Sequence, residues 1–211
     1  MTLARYPLFM SEHNELLVAT NNKGKVRELS QLLNDFPLRL RLLDEFSNID
    51  EAEETGETFA ENATIKALHY SAHTRLLTLS DDSGLVVDAL GGAPGVRSAR
   101  YAGREATYAE RMSKLLGELD ATGDGERRAR FVCVIAVADP SAGTLNCFEG
   151  TCEGRIAHAP HGTGGFGYDP LFIPDGHERT FGELPAEVKH TLSHRARALQ
   201  QAVRHLREYY T

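Results

Sequence analysis

Leu16-Leu17-Val18-Ala19-Thr20, running straight into Asn21-Asn22-Lys23-Gly24-Lys25, is the stretch that decides the fold class. A short apolar run bounded by a polar cluster reads as a buried strand. Asn21 or Asn22 can then cap a helix, along which Val26, Leu29, Leu32 and Leu33 share one face. Pro37 ends that helix, and Leu38–Leu43 alternates leucine with arginine as a second strand. A β-α-β opening of this kind predicts an α/β protein.

The pattern continues outward. Asp44–Thr58 is polar and acidic, a solvated loop on its composition. Thr58-Phe59-Ala60-Glu61 has capping-box spacing and predicts a helix to about His73. Leu76–Ser80 reads as a strand ending at Asp81-Asp82, with Val86-Val87-Asp88 continuing after a turn at Gly84. Thr107-Tyr108-Ala109-Glu110 repeats the capping box ahead of a stripe of Met112, Leu115, Leu116 and Leu119. Two antiparallel strands, Ala129–Ala138 and Leu145–Ile156, follow around Asp139-Pro140-Ser141-Ala142-Gly143. A last helix carries Leu192, Ala196, Leu199, Val203, Leu206 and Tyr210 on one face, with Ser193 as a cap.

Composition narrows the function classes. The chain has 211 residues, 41% hydrophobic and 25% charged, with a net charge of −7. Such a balance argues against nucleic acid or an anionic membrane as partner. Three cysteines, Cys133, Cys147 and Cys152, with no CxxC pair fit a reducing cytoplasm and no structural zinc. No apolar run approaches the ~18 residues that span a bilayer. Residues 1–15 read as a frayed extension, and residues 16–211 as one large domain or two small lobes sharing a sheet.

Three segments could carry chemistry. Gly162-Thr163-Gly164-Gly165-Phe166-Gly167-Tyr168-Asp169-Pro170 combines glycines, which let a backbone press close to a ligand, with an aromatic pair suited to a flat ring. Lys23 and Lys25 open the first helix, where the dipole already favours anions, although the glycine spacing is not that of a Walker A loop. Asp81-Asp82-Ser83-Gly84-Leu85 follows a strand, and adjacent carboxylates on a strand point to opposite faces, so one of the pair enters a site. Glu53 or Glu54 in the acidic loop, paired with Asp82, would supply carboxylates for magnesium, which needs few protein ligands. Near the C-terminus, Lys189 lies four residues before Ser193-His194-Arg195; with Ser193 as cap, His194 and Arg195 fall in a first helical turn, against the dipole, which points to an anion or base nearby. Ser83 and Ser193 lack a nucleophile-elbow context, and Cys133 and Cys152 lie in core-like runs.

Taken together, these segments resemble the inosine triphosphate pyrophosphatase family, enzymes that hydrolyse non-standard purine nucleoside triphosphates. The likeness rests on Ala19–Lys25, Glu53-Glu54-Thr55-Gly56, Phe59 with Glu61-Asn62-Ala63, Ser80–Leu85, Gly91–Gly95 with Ser98–Tyr101, Gly162–Pro170, and Lys189 with Ser193-His194-Arg195. They occur in order from about residue 16 to 207. The resemblance implies an elongated mixed central sheet with flanking helices, two lobes around a nucleotide cleft, a homodimer and a magnesium requirement. It also implies site roles. Thr20, Asn21, Asn22, Lys23, Gly24 and Lys25 would line the phosphate site. Asp82 would be the catalytic acid-base residue and, with Glu53 favoured over Glu54, a metal neighbour. Ser83 would contact substrate. Phe166, Gly167, Tyr168, Asp169, Lys189, His194 and Arg195 would hold base and sugar.

The implied reaction is NTP + H2O → NMP + pyrophosphate, with Asp82 deprotonating water and Lys23 and Lys25 holding the leaving pyrophosphate. Selection for ITP, dITP and XTP would use donors aimed at the 6-oxo group. Rival readings are a related pyrophosphatase of different base preference and a non-catalytic nucleotide sensor.

Overall fold

The computed structural model describes residues 14–123 and 125–210. Of the expected frayed extension, residues 1–13 lie outside the described residues, whereas Glu15 is already in the first strand.

The centre is one mixed six-stranded sheet. In chain order the elements are β1 (Glu15–Val18), α1 (Lys23–Leu32), β2 (Arg39–Leu42), α2 (Phe59–Thr74), β3 (Leu77–Val87), α3 (Tyr108–Thr122), β4 (Arg128–Asp139), β5 (Thr144–Ile156), β6 (Phe172–Pro174), α4 (Ala186–Leu192) and α5 (His194–Tyr210), with short 3-10 turns between. The spatial order is β2-β1-β3-β4-β5-β6. β1 runs parallel to β2 and β3, as a β-α-β opening requires, while β3 to β6 pair antiparallel. The caps act as the sequence predicts. Asn22 Oδ1 accepts from Gly24 N (2.9 Å) and Lys25 N (3.2 Å), and Thr58 and Thr107 each form a reciprocal capping box. Ser193 Oγ accepts from Ala196 N at the start of α5. Tyr210, last of the expected stripe, lies outside the described side chains.

One expectation fails. Asp81-Asp82-Ser83-Gly84 is not a turn; β3 runs unbroken through it. Gly84 serves close approach instead. A Cβ there would stand 2.4 Å from both Gly95 O and Ser98 Oγ, so the residue must be glycine for the 95–100 segment to pack on the strand.

Strand alternation explains where a cleft can form. On one face of β3, Leu77 and Leu79 join an apolar cluster with Leu29, Ile135 and Leu199. Further along the same face, Leu85 and Val87 join a second cluster with Leu115, Phe131 and Phe172. Between these two lobes the face turns polar, at Asp81 and Ser83. The opposite face packs on α2 through Ala63, Ala67, Val134 and Ala136. Because the pairing of β1 with β3 stops at Val18↔Leu79, the polar middle of β3 has no strand of the described residues beside it on that side. The gap opens directly onto the N-terminus of α1. Among the described residues, no helix is long and apolar enough to cross a membrane.

Candidate active site

A cleft of about 880 Å³ occupies this gap. Its walls bring together Thr20, Asn21, Asn22 and Lys25 after β1, Glu53 and Glu54 from the acidic loop, Asp82 and Ser83 of β3, Phe166 to Asp169, and Lys189, His194 and Arg195. Segments far apart in sequence therefore meet at one place.

The two aspartates divide as strand geometry demands. Asp82 faces α2, where Lys66 Nζ lies 3.4 Å from its Oδ1 and 2.6 Å from Glu54 Oε1. Arg100 also approaches Glu54, at 3.7 Å. Asp82 Oδ2 is buried and has no hydrogen-bond partner among the described residues. Burial, with Glu54 and Asp81 adding like charge, outweighs Lys66 and raises the Asp82 pKa above the ordinary aspartate value. Asp81 points the other way and is fully buried. Burial pushes its pKa up, but Lys25 (3.2 Å), Arg195 (3.2 Å) and Lys66 more than reverse this and hold it well below the usual range.

Behind Asp81 lies a buried ion network that the sequence reading missed. Glu28 of α1 receives Lys189 Nζ at 2.6 Å and pairs with Arg195 Nη1. Lys189 Nζ also meets Asp169 Oδ2 at 2.5 Å, and Asp169 Oδ2 accepts from Phe166 N at 2.6 Å. Arg195 completes its fork on Asp81 Oδ2 and on Ser83 Oγ (2.8 Å). Three acids, Asp81, Glu28 and Asp169, thus face three cations, Lys25, Lys189 and Arg195. The signal for Glu28 was its place three residues after Lys25 on the same helix face. The signal for Lys66 was a polar stripe of Asn62, Lys66 and Tyr70 on the buried face of α2.

The expected site residues fare unequally. Lys23 is exposed and does not line the cleft, so Lys25 alone of the pair faces the site. The amides of Gly24 and Lys25 are taken by Asn22, which leaves fewer α1 N–H groups for an anion than a bare helix start would offer. Gly24 acts through packing: a Cβ there would fall 2.6 Å from the Phe166 ring. Lys189 Nζ sits 4.7 Å and the Arg195 guanidinium 5.5 Å from the centre of that ring. Tyr168 is mostly core, its hydroxyl donating to Ser98 O at 3.0 Å. Arg195 is 1% exposed with its donors engaged, which leaves it little to offer a base directly. His194 is different. It stacks on Phe131 (4.7 Å, 15°), its Nδ1 has no partner among the described residues, and burial together with Arg195 and Lys189 depresses its pKa and keeps it neutral. Glu53 lines the cleft but is exposed; Glu54, the alternative, is the acid joined to Asp82 through Lys66.

A dITP/XTP pyrophosphatase of Desulforamulus reducens is 48% identical over 196 residues, covering 93% of this chain and 97% of the relative. A HAM1 protein from Coxiella burnetii has a solved structure that superposes with a TM-score of 0.85 at 45% identity, over 92% of this chain and 98% of its own. A nucleoside-triphosphatase / dITP/XTP pyrophosphatase from Mycobacterium abscessus superposes at 0.73 with 43% identity, over 89% and 98%. The sequence model of the Ham1 family matches residues 16–205, and the chain is a member of that family.

Proposed function

We propose that this nucleoside triphosphate pyrophosphatase hydrolyses ITP, dITP and XTP to the monophosphate and pyrophosphate with magnesium, clearing non-standard purines from a cytoplasmic nucleotide pool as a homodimer. The single observation that carries the reading is the unpartnered, buried Oδ2 of Asp82, in a cleft wall beside Glu54. An oxygen so placed needs a partner, and the donor set of two carboxylates suits a hard divalent ion. Glu54 and Asp82 are the residues that would hold magnesium. Bound there, the ion would offset charge developing on the phosphate oxygens.

The chain's own residues account for the rest. Asp82 would take a proton from the attacking water. Lys66, bridging Asp82 and Glu54, keeps both carboxylates in register. Lys25 stands at the mouth of α1, 12% exposed at the side chain, where the leaving pyrophosphate would rest. The Phe166 ring, braced by Gly24, Lys189 and Arg195, offers a platform for a purine. Neutral His194 would donate to a 6-oxo group, and such a donor left unpaired by adenine rejects ATP.

The test is pyrophosphate release from ITP, XTP, dITP, GTP and ATP with and without magnesium, for the native chain and for Asp82→Asn. Release from the first three only, dependent on magnesium and lost in the variant by at least ~100-fold in kcat, is expected. Comparable turnover of ATP and GTP, or near-native turnover by Asp82→Asn, would overturn the reading.

A further inference from the structure

Among the described residues, six cationic side chains line the cleft, and five of them are already held by carboxylates. Lys25 pairs with Asp81, Lys66 with Glu54 and Asp82, Arg100 with Glu54, Lys189 with Glu28 and Asp169, and Arg195 with Asp81 and Glu28. Arg104 is the exception. It is exposed, and no carboxylate among the described residues lies within 4.0 Å of its guanidinium.

The backbone that carries Arg104 is fastened. Arg111 of α3, itself buried, donates from Nη2 to Arg104 O (3.2 Å) and Gly103 O (3.5 Å). Gly103 N donates to Arg100 O at 2.9 Å and Ala106 N to Gly103 O at 3.4 Å. The Arg111 guanidinium lies 4.8 Å from the centre of the Tyr108 ring, and Tyr108 meets Tyr168 edge-on at 5.8 Å. The loop is thereby tied to the wall of the second lobe, while the arginine side chain is left uncommitted. A guanidinium offers five donors in a planar fork that matches phosphate oxygens. A cation without a counter-charge, on an anchored loop at a cleft otherwise balanced by its own acids, is placed for an anion brought from outside.

We propose that Arg104 binds the polyphosphate tail of the substrate and sets affinity for the triphosphate. The proposal rests on the triphosphate reading above, and it assigns Arg104 a binding role rather than a step in bond cleavage. An interaction held equally in ground and transition states changes KM and leaves kcat alone.

The experiment compares the native chain with Arg104→Gln and Arg104→Lys in magnesium buffer. It measures kcat and KM for dITP, and calorimetric binding of inorganic tripolyphosphate and of inosine. Arg104→Gln is expected to raise KM for dITP and the Kd for tripolyphosphate together, by about tenfold, the size of one lost charge-assisted contact. Inosine binding and kcat should stay within twofold, and Arg104→Lys should recover part of the loss. A KM and tripolyphosphate Kd both unchanged, or an equal loss for inosine, would overturn the assignment. Failure of the native chain to hydrolyse dITP would instead strike the triphosphate reading, and tripolyphosphate calorimetry would then still decide whether Arg104 binds polyphosphate.

Discussion

Glu28→Gln removes one charge from the centre of the buried network without changing side-chain size. Glu28 is 8% exposed and accepts from Arg195 and Lys189, both buried. After the change, three cations face two acids, and Arg195 keeps only Asp81 and Ser83. Two charge-assisted contacts are weakened, each worth roughly 1.5–3 kcal/mol. Glutamine's amide oxygen still accepts from one of them, so the net cost should fall near the lower end of the roughly 3–5 kcal/mol that follows from breaking a buried pair. At about 2–4 °C per kcal/mol for a chain of this size, Tm should drop by about 6–12 °C. Thermal melts by circular dichroism at neutral pH read this directly. The pH dependence supplies an independent check. Burial pushes the Glu28 pKa up, but Arg195 and Lys189 overcome it and hold the carboxyl below its usual range. A carboxylate with a depressed folded-state pKa stabilises fully above the ordinary value of about 4.3 and loses that contribution as pH falls through the lowered one. The gap between native and variant should therefore be full at pH 7 and shrink on acidification below about pH 4.3. A gap under about 2 °C at pH 7, below the least drop that one kcal/mol would cause, or one that widens in acid, would refute the assignment of Glu28 as an ionised buried counter-charge.

Two further outcomes test the site. Glu54→Gln should raise the magnesium concentration for half-maximal activity by about tenfold, the loss of one charged ligand, while Glu53→Gln should change it less than twofold; the reverse order in a magnesium titration would move the ligand to Glu53. Gly24→Val puts a Cβ where 2.6 Å separates it from the Phe166 ring, so the ring must shift. KM for dITP should rise severalfold with the helix content of the chain unchanged, and an unaltered KM would remove Phe166 from base binding.

The opening strand, the first helix and its Asn22 cap, both capping boxes and the β4–β5 hairpin were legible because each depends on local pattern. The strand nature of Asp81–Gly84 was not. Asp, Ser and Gly favour turns locally, and the residues that overrule this preference, Gly95, Ser98 and the β4 partners Cys133 to Ile135, lie far along the chain. The site was legible as a set of segments but not as a set of contacts. Lys25, Lys189 and Arg195 are expected to hold a ligand, and the acid that each is tied to was not legible. Glu28 gave no sign beyond its helix face, because the partners that make it matter are Arg195 and Lys189, more than 160 residues away.

That pairing bears on why the cleft would need metal. Lys25, Lys66, Arg100, Arg104, Lys189 and Arg195 supply six positive charges. Glu51, Glu53, Glu54, Asp82 and Asp169 in the walls, with Asp81 and Glu28 behind them, supply seven negative ones. A polyphosphate entering such a cleft meets no net attraction from the protein, and the buried acids are fixed by their partners and cannot withdraw. Beyond the local pull of Arg104, attraction must then come from what the substrate brings or from what Glu54 and Asp82 hold. A divalent ion between those carboxylates reverses the local sign where Asp82 Oδ2 lacks a partner, and Arg104 is the one cation of the six that no carboxylate among the described residues pairs. On this argument the apparent surplus of acid is the condition for coupling substrate entry to metal occupancy: dITP binding in the absence of any divalent ion should be weak in the native chain and should strengthen when Asp82 is neutralised to asparagine, even as turnover is lost.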